Sequence, residues 1–416
     1  MKPNFKIAII WEQLTWGGVD SYLKYLIEDW PNQNDQLVIY HNDTNAGAIR
    51  LREEISHVKF VKFSAYKSRF IPKEVSSNIF IRIFRYFLIP ILILTEKYKF
   101  IKLLKYENVD ILISQNGGYP AAWGTLSAIF AAKNLCIPVR ALVIHHKANK
   151  PSTFQFTFRS ILDKNVAKSV TSIIPISFAT KQSLYDNTNL LEDEKYSNAP
   201  VIYNGVPVSS LGQSKFILKS YIPNYDGEFV VGILGRIEAY KGHFDLISAF
   251  SRLDECDQLK IFILIIGKGE ESEVERLKQY AKNVKNGNRI IFTGFISENS
   301  QTIIKSLDLL IMASRSFEGF GLTIAEAMSV KVPVIATNVG AVSEFVSQSM
   351  VTLINPGDVH QLSNAIIDFI TNNLSWKEKA NYAYLEVIKF SSKKMAKEYR
   401  DHLVQNFIIE KYNPCL

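Results

Sequence analysis

The chain has 416 residues, of which 47% are hydrophobic and 21% charged. That excludes an intrinsically disordered chain and suits two folded domains better than one core. Its net charge is +8, yet between Lys59 and Lys105 alone there are eleven Lys or Arg against two Glu, so one segment carries the basic character and no nucleic-acid partner is expected.

In chain order, residues 5–10 read as a buried strand rather than a secretion signal. The strand leads to Trp16-Gly17-Gly18, a turn that tolerates phosphate, and Ser21 is placed to cap a helix over residues 21–29. Further short apolar runs at 37–40, 109–114, 139–144 and 172–176 read as strands, with a helix over 120–133 among them. The basic segment also holds Phe80, Phe84, Tyr86 and an apolar run over 87–94. That run is too short to cross a bilayer but long enough to rest in its interface. The run over 139–144 ends at His145-His146. One of the two is expected to serve the site; which one stays open at this point. Residues 203–227 contain Asn204-Gly205-Val206-Pro207 and Ile222-Pro223-Asn224, which punctuate rather than propagate. Strand runs then restart at 230–234, 261–266, 289–292, 309–313, 333–336 and 351–354. In the helix after Lys241, Phe244, Ile247, Phe250 and Leu253 recur three apart. The trailing residues 376–409 are helical in pattern, with Tyr384, Val387 and Phe390 at helical spacing.

Strands alternating with helices imply an α/β fold of two doubly wound, parallel-sheet domains in tandem facing a cleft. The expected division is a first domain over 1–205, a linker over 206–227, a second domain over 228–385 and a terminal helix over 386–416. Ligands of such sheets bind beyond the carboxyl ends of the strands. There the sequence offers Gly235-Arg236 with Lys241-Gly242, a close-approach glycine and two cations suited to a diphosphate. It also offers Glu318-Gly319-Phe320-Gly321-Leu322, which opens a helix carrying Glu326. Free N–H groups at a helix start bind phosphate, and Glu326 is placed to accept ribose hydroxyls. Arg236 and Lys241 read equally well as solvated cations, and Glu326 as an acid complementing the helix dipole. Two glutamates around Gly-Phe-Gly favour the binding site.

These pieces, with Gly267-Lys268-Gly269, Phe292-Thr293-Gly294 and, more weakly, Gly17-Gly18 and Asn355-Pro356-Gly357-Asp358, resemble the family 4 retaining glycosyltransferases of the GT-B fold. The resemblance covers nearly all of residues 228–372 and is patchier before them. It implies that Arg236 and Lys241 bind the donor diphosphate and that Glu326 holds ribose. It places Glu318 near the reacting carbon of the donor sugar, Gly17 and Gly18 against the diphosphate, and His145 or His146 on the sugar. Gly235, Gly267, Gly294, Gly319, Phe320, Gly321 and Leu322 complete the implied donor site. The resemblance further implies front-face attack, with the donor phosphate assisting acceptor deprotonation, and a terminal helix that crosses back to the first domain. Two departures stand out: Gly340-Ala341 where the family often has Gly-Gly, and Ala313-Ser314-Arg315 where it often has Pro-Ser.

The expected reaction is metal-independent transfer of a sugar, with retention, from a UDP- or GDP-sugar to a glycan or lipid-linked acceptor. Its expected setting is bacterial surface polysaccharide assembly. No metal or other cofactor is expected: no Asp-x-Asp occurs, and Cys136, Cys256 and Cys415 lie far apart without ligand spacing, which also suggests a reducing compartment. A cytoplasmic protein follows, docked through Lys59–Lys105 on an anionic membrane surface. That segment reads equally well as an ordinary helix with a basic face. Two other classes compete. Gly267-Lys268-Gly269-Glu270-Glu271-Ser272 is a near miss to the dinucleotide fingerprint of an oxidoreductase, without its third glycine. A silent sugar-nucleotide binder would share the donor pocket, against which the intact Arg236, Lys241, Glu318 and Glu326 count.

Overall fold

The computed structural model describes residues 4–14, 17–64, 79–152, 155–192, 194–208 and 217–412. It comprises two compact units, Met1–Tyr203 with Met395–Leu416, and Asn204–Lys394.

The first unit holds β1 (Lys6–Trp11), β2 (Gln36–Asn42), β3 (Lys59–Phe63), β4 (Ile111–Asn116), β5 (Val139–Ile144) and β6 (Ser172–Pro175). They form one sheet in the order β3-β2-β1-β4-β5-β6, and every neighbouring pair is parallel. The central strands are apolar on both faces because helices cover both sides. Edge strand β3 is Lys59-Phe60-Val61-Lys62-Phe63, and only Phe63 is buried. The sequence pattern missed it because its charges merge into the basic segment that follows.

The second unit repeats this plan with β7 (Phe229–Leu234), β8 (Ile261–Ile266), β9 (Ile290–Gly294), β10 (Leu309–Met312), β11 (Val334–Thr337) and β12 (Thr352–Ile354). Its sheet runs β12-β11-β10-β7-β8-β9. The chain therefore reverses direction across each sheet between neighbouring strands, β1 and β4 in one unit and β7 and β10 in the other. Such a switch point is where open α/β sheets leave a crevice for ligand. Each unit has its own core, around Ile10, Leu112, Leu142 and Leu126 in the first and Val231, Ile263, Phe250 and Phe369 in the second. Within the segment read as a linker, residues 209–216 lie outside the described residues, and Leu218 and Ile222 are buried.

The helix Gly18–Glu28 begins earlier than its sequence signal suggests. Gly17 is its N-cap and Ser21 lies inside it, so Ser21 does not cap. Asp20 takes that part, as its fully buried carboxylate accepts the Gly17 N–H at 2.5 Å and the Gln13 side-chain amide at 2.8 Å. The spacing is that of a capping box with the acid on the third helical residue.

At the other end of the chain, the helix Asn373–Val387 gives way to a short 3-10 turn, Ile388–Phe390, before the helix Ser392–Tyr412. From Met395 onward this last helix belongs to the first unit. Phe407 packs edge-on against Phe5, Tyr399 against Tyr22, and His402 hydrogen-bonds Ser172 at 2.7 Å. Its strongest tie is Arg400, whose Nε donates to Asp35 at 2.7 Å. Asp35 also accepts from the Phe5 N–H, the Trp30 indole and the Asn32 amide. Both ends of the pair are buried, so removing the guanidinium strands a carboxylate in the interior, a loss typically of about 3–5 kcal/mol. Arg400→Ala is accordingly expected to lower the opening free energy of amides in β1 and in the last helix by about 3 kcal/mol. Native-state hydrogen exchange reads this directly, and unchanged protection would contradict it.

Candidate functional site

In the second unit, loops after β7, β8, β9 and β10 meet at the carboxyl edge of the sheet, and close backbone contact decides their shape. Gly235 has φ +153° and Gly267 φ +146°, and a Cβ on Gly267 would stand 1.8 Å from the Gly235 carbonyl oxygen. A Cβ on Gly269 would meet the Ile237 carbonyl oxygen at 2.4 Å. The Ile237 N–H donates to the Lys268 carbonyl at 2.8 Å, zipping the two loops together. The two glycines that echo a dinucleotide fingerprint are thus required by loop packing.

Gly242 has φ +79° and turns the chain into the helix His243–Ser251; a Cβ there would lie 1.9 Å from the Ala313 carbonyl oxygen. Lys241 is thereby brought against the loop after β10, where its ammonium donates to Glu318 Oε1 at 2.6 Å. The Ser314 hydroxyl donates to the same carboxylate oxygen. Glu318 is held from behind as well. Its carbonyl accepts the Ala341 N–H at 2.9 Å, and a Cβ on Gly340 would come 2.2 Å from that carbonyl oxygen. The departure Gly340-Ala341 keeps the glycine at the position this contact demands.

Gly321, at φ +91°, is the N-cap of the helix Leu322–Ser329. The Phe320 ring is buried, stacked on Phe345 at 4.5 Å and tilted against Phe390, so it anchors the glycine loop by its apolar face. Glu326, one turn into the helix, is 2% exposed and accepts the Ser300 hydroxyl at 2.7 Å. Gly294 has φ +71° and, like Gly235, open space where a Cβ would stand. Arg236 is half exposed and pairs with Glu238 at 3.1 Å. Lys241, Glu318 and the loop through Gly319 to Leu322 thus form one cluster, whereas Arg236 is engaged separately.

The remaining candidates lie in the first unit. Gly17 is committed to Asp20, and Gly18 is exposed with open space at its Cβ position. His145 is buried, with its ring edge-on to Tyr22 and its Nε2 2.6 Å from Gln115 Oε1. The amide oxygen can only accept, so Nε2 carries the proton. Burial pulls the pKa of this imidazole down to about 3, keeping it neutral. His146 is only partly buried. At the end of β1, Glu12 accepts the Gly124 N–H at 2.8 Å, and burial pushes its carboxyl up to about 7.

Sequence reasoning overlooked Asp20 and the pair Asp245 and Arg315. The capping-box spacing could have revealed Asp20; nothing in the sequence joins Asp245 to Arg315, which are 70 residues apart. Among the described residues no group of three or more His, Cys, Asp or Glu is gathered to hold a metal.

Residues 215–385 match the family described as glycosyl transferases group 1. An uncharacterized glycosyltransferase, MJ1069, of Methanocaldococcus jannaschii is 28% identical over 61% of this chain and 62% of its own length. The O-antigen biosynthesis glycosyltransferase WclY of Escherichia coli is 29% identical over 48% of this chain and 54% of its own. The chain thus spans between half and two thirds of these curated relatives. Solved structures match over nearly everything. A Rickettsia africae glycosyltransferase superposes with TM-score 0.73 at 20% identity, covering 97% of this chain and 98% of that one. Anabaena HepE in complex with UDP and glucose gives 0.73 at 19%, covering 97% and 100%. The fold is that of the GT-B glycosyltransferases.

The enclosed imidazole makes a pH prediction. In the unfolded chain His145 takes up a proton below its ordinary 6.5; in the folded unit it does not until about 3. Its contribution to stability is therefore complete above pH 6.5 and is lost progressively as pH falls toward 3. Across that window the loss is on the order of 5 kcal/mol. Urea unfolding of His145→Asn between pH 7 and 4 is expected to show a shallower fall than the parent protein, and parallel curves would contradict the assignment.

Proposed function

Taking as premise that residues 215–385 belong to the glycosyl transferases group 1 family, we propose that the protein is an enzyme that moves a sugar from a nucleoside diphosphate sugar to a glycan or lipid-linked acceptor. The observation that carries this reading is the Lys241 ammonium held at 2.6 Å on Glu318, beside the helix start at Gly321 and at the β7/β10 switch point. Breaking a glycosidic bond to a diphosphate separates a cation-like sugar carbon from an anionic leaving group. Preorganised positive charge at the leaving group is the largest help a protein can give. Lys241, the N–H groups of the helix start and a swing of the half-exposed Arg236 from Glu238 supply it. Glu326, already accepting from Ser300, is placed to take the ribose hydroxyls.

With this charge in place the reading requires no metal. We assign retention of configuration, a UDP- or GDP-linked donor, and a role in bacterial surface polysaccharide assembly. WclY, by its name an O-antigen enzyme, and the UDP-bound HepE support the setting and the donor class. Lys241→Ala and Arg236→Ala are each expected to lower kcat by about 10²–10³ while the protein still unfolds cooperatively. A thermal-shift panel of UDP- and GDP-sugars selects the donor for that assay. A wild-type rate in either variant would remove that cation from the mechanism.

We further propose that the protein acts as a peripheral protein on the inner face of the cell membrane. Residues 65–78 of the basic segment lie outside the described residues, but the helix Ile79–Leu104 exposes Ile91, Leu94 and Tyr98 at three- and four-residue steps, with Lys99 and Lys102 alongside. No helix among the described residues is long and apolar enough to cross a membrane. Basic groups near an anionic surface contribute about 1 kcal/mol each. Co-sedimentation with anionic vesicles is expected, falling as salt is raised. Equal binding to neutral vesicles would contradict the electrostatic part.

A further inference from the structure

Arg315, at the departure Ala313-Ser314-Arg315, makes contacts that donor binding does not call for. Its guanidinium forks onto Asp245, with Nε donating to Oδ2 at 2.7 Å and an Nη group donating to the other oxygen. Asp245 is 3% exposed, in the first turn of the helix His243–Ser251. The Arg315 backbone N–H donates to the Tyr240 carbonyl at 2.7 Å. On one side of Lys241, then, Tyr240 is tied to Arg315. On the other, Gly242 sits against the Ala313 carbonyl, and three residues on Asp245 is tied to the Arg315 side chain. The residue that carries the ammonium is bracketed by contacts to the same three-residue stretch from which Glu318 follows.

We infer that Arg315 and Asp245 are positioning residues for Lys241, fixing the ammonium against Glu318 where the donor diphosphate is received. The inference rests on the proposed donor site. A two-point fork constrains both distance and orientation, which a single lysine contact cannot. A displacement of about 1 Å at such a group is enough to cost up to 10²-fold in a reaction. Half of the Arg315 side chain is exposed, so truncating it opens no cavity.

The test uses the full chain and the affinities of UDP and GDP measured calorimetrically, in a double-mutant cycle between Arg315→Ala and Lys241→Ala. With the nucleotide that the parent protein binds, each single variant is expected to lose about tenfold in affinity, and the double variant no more than the Lys241→Ala variant alone. Arg315→Lys, which keeps the charge but not the fork, is expected to fall with Arg315→Ala rather than with the parent. A double variant that loses about a hundredfold, the product of the single effects, overturns the inference, since Arg315 would then act independently of Lys241. Parent-like affinity in Arg315→Ala overturns it too. If neither nucleotide binds the parent protein, or Lys241→Ala binds as the parent does, the donor-site reading fails first. The two failures are therefore distinguishable. An Arg315 that merely supported the fold would weaken binding equally in both backgrounds.

Discussion

The second unit is organised around places where backbone lies directly on backbone. The Gly235 oxygen fills the space where Gly267 would have a side chain, the Ala313 oxygen does so at Gly242, and the Glu318 oxygen at Gly340. In each case the obstacle is a carbonyl rather than a flexible side chain, so any Cβ would push whole loops apart. The loops after β7, β8, β10 and β11 are consequently stacked as closely as main chain permits. Lys241 and Glu318 meet because they ride on two of these loops, one residue before Gly242 and four after Ser314. The glycines that look like ligand contacts therefore divide into two kinds. Gly267, Gly242 and Gly340 are there for the fold, whereas Gly235 and Gly294 have unfilled space beside them, where a ligand can come close to main chain.

Charge explains why the cluster is stable without a ligand. An ammonium in a partly buried crevice costs free energy unless it is paired, and Glu318 pairs it. The same group has three donors, so it can donate to a phosphate oxygen without releasing the carboxylate. Glu326 is handled similarly, with Ser300 occupying one oxygen of its buried carboxylate one turn into the helix. In the proposed donor site an incoming nucleotide would therefore meet partners already oriented, which limits the ordering cost of binding.

How far the sequence discloses this arrangement depends on the range of the interaction. Parallel strands covered on both faces show as mainly apolar runs, so β1, β5 and β8 are legible directly. Edge strand β3 is largely solvated and its two lysines merge into a basic stretch. The helix start at Leu322 follows from local chemistry, glycine before an apolar period. The helix starts at Gly18, three residues before its sequence signal: Ser21 is a better cap by type than Gly17, and only the reciprocal bond from Asp20 reverses that preference. The histidine pair illustrates the limit. Both follow the same strand, and only tertiary packing on Tyr22 and Gln115 separates an enclosed, neutral His145 from a partly exposed His146. Arg315 and Asp245 lie beyond any local signal, since nothing in either neighbourhood requires the other.

The two units share one strand order, yet they furnish its switch point with opposite chemistry. After β7 and β10 come Arg236, Lys241 and a helix start with free N–H groups, a setting for an anion. After β1 come Glu12 and Asp20, and after β5 a histidine that stays uncharged. Glu12 is held near neutrality by burial and by the adjacent Glu96, while the Gly124 N–H pulls the other way. Carboxylates that already accept backbone N–H groups suit hydroxyl groups better than phosphates, because a second anion there would meet like charge. The fold fixes where ligands enter each sheet, and the side chains decide which ligand each sheet takes. That division supports assigning the diphosphate to the second unit on electrostatic grounds, independently of any family likeness.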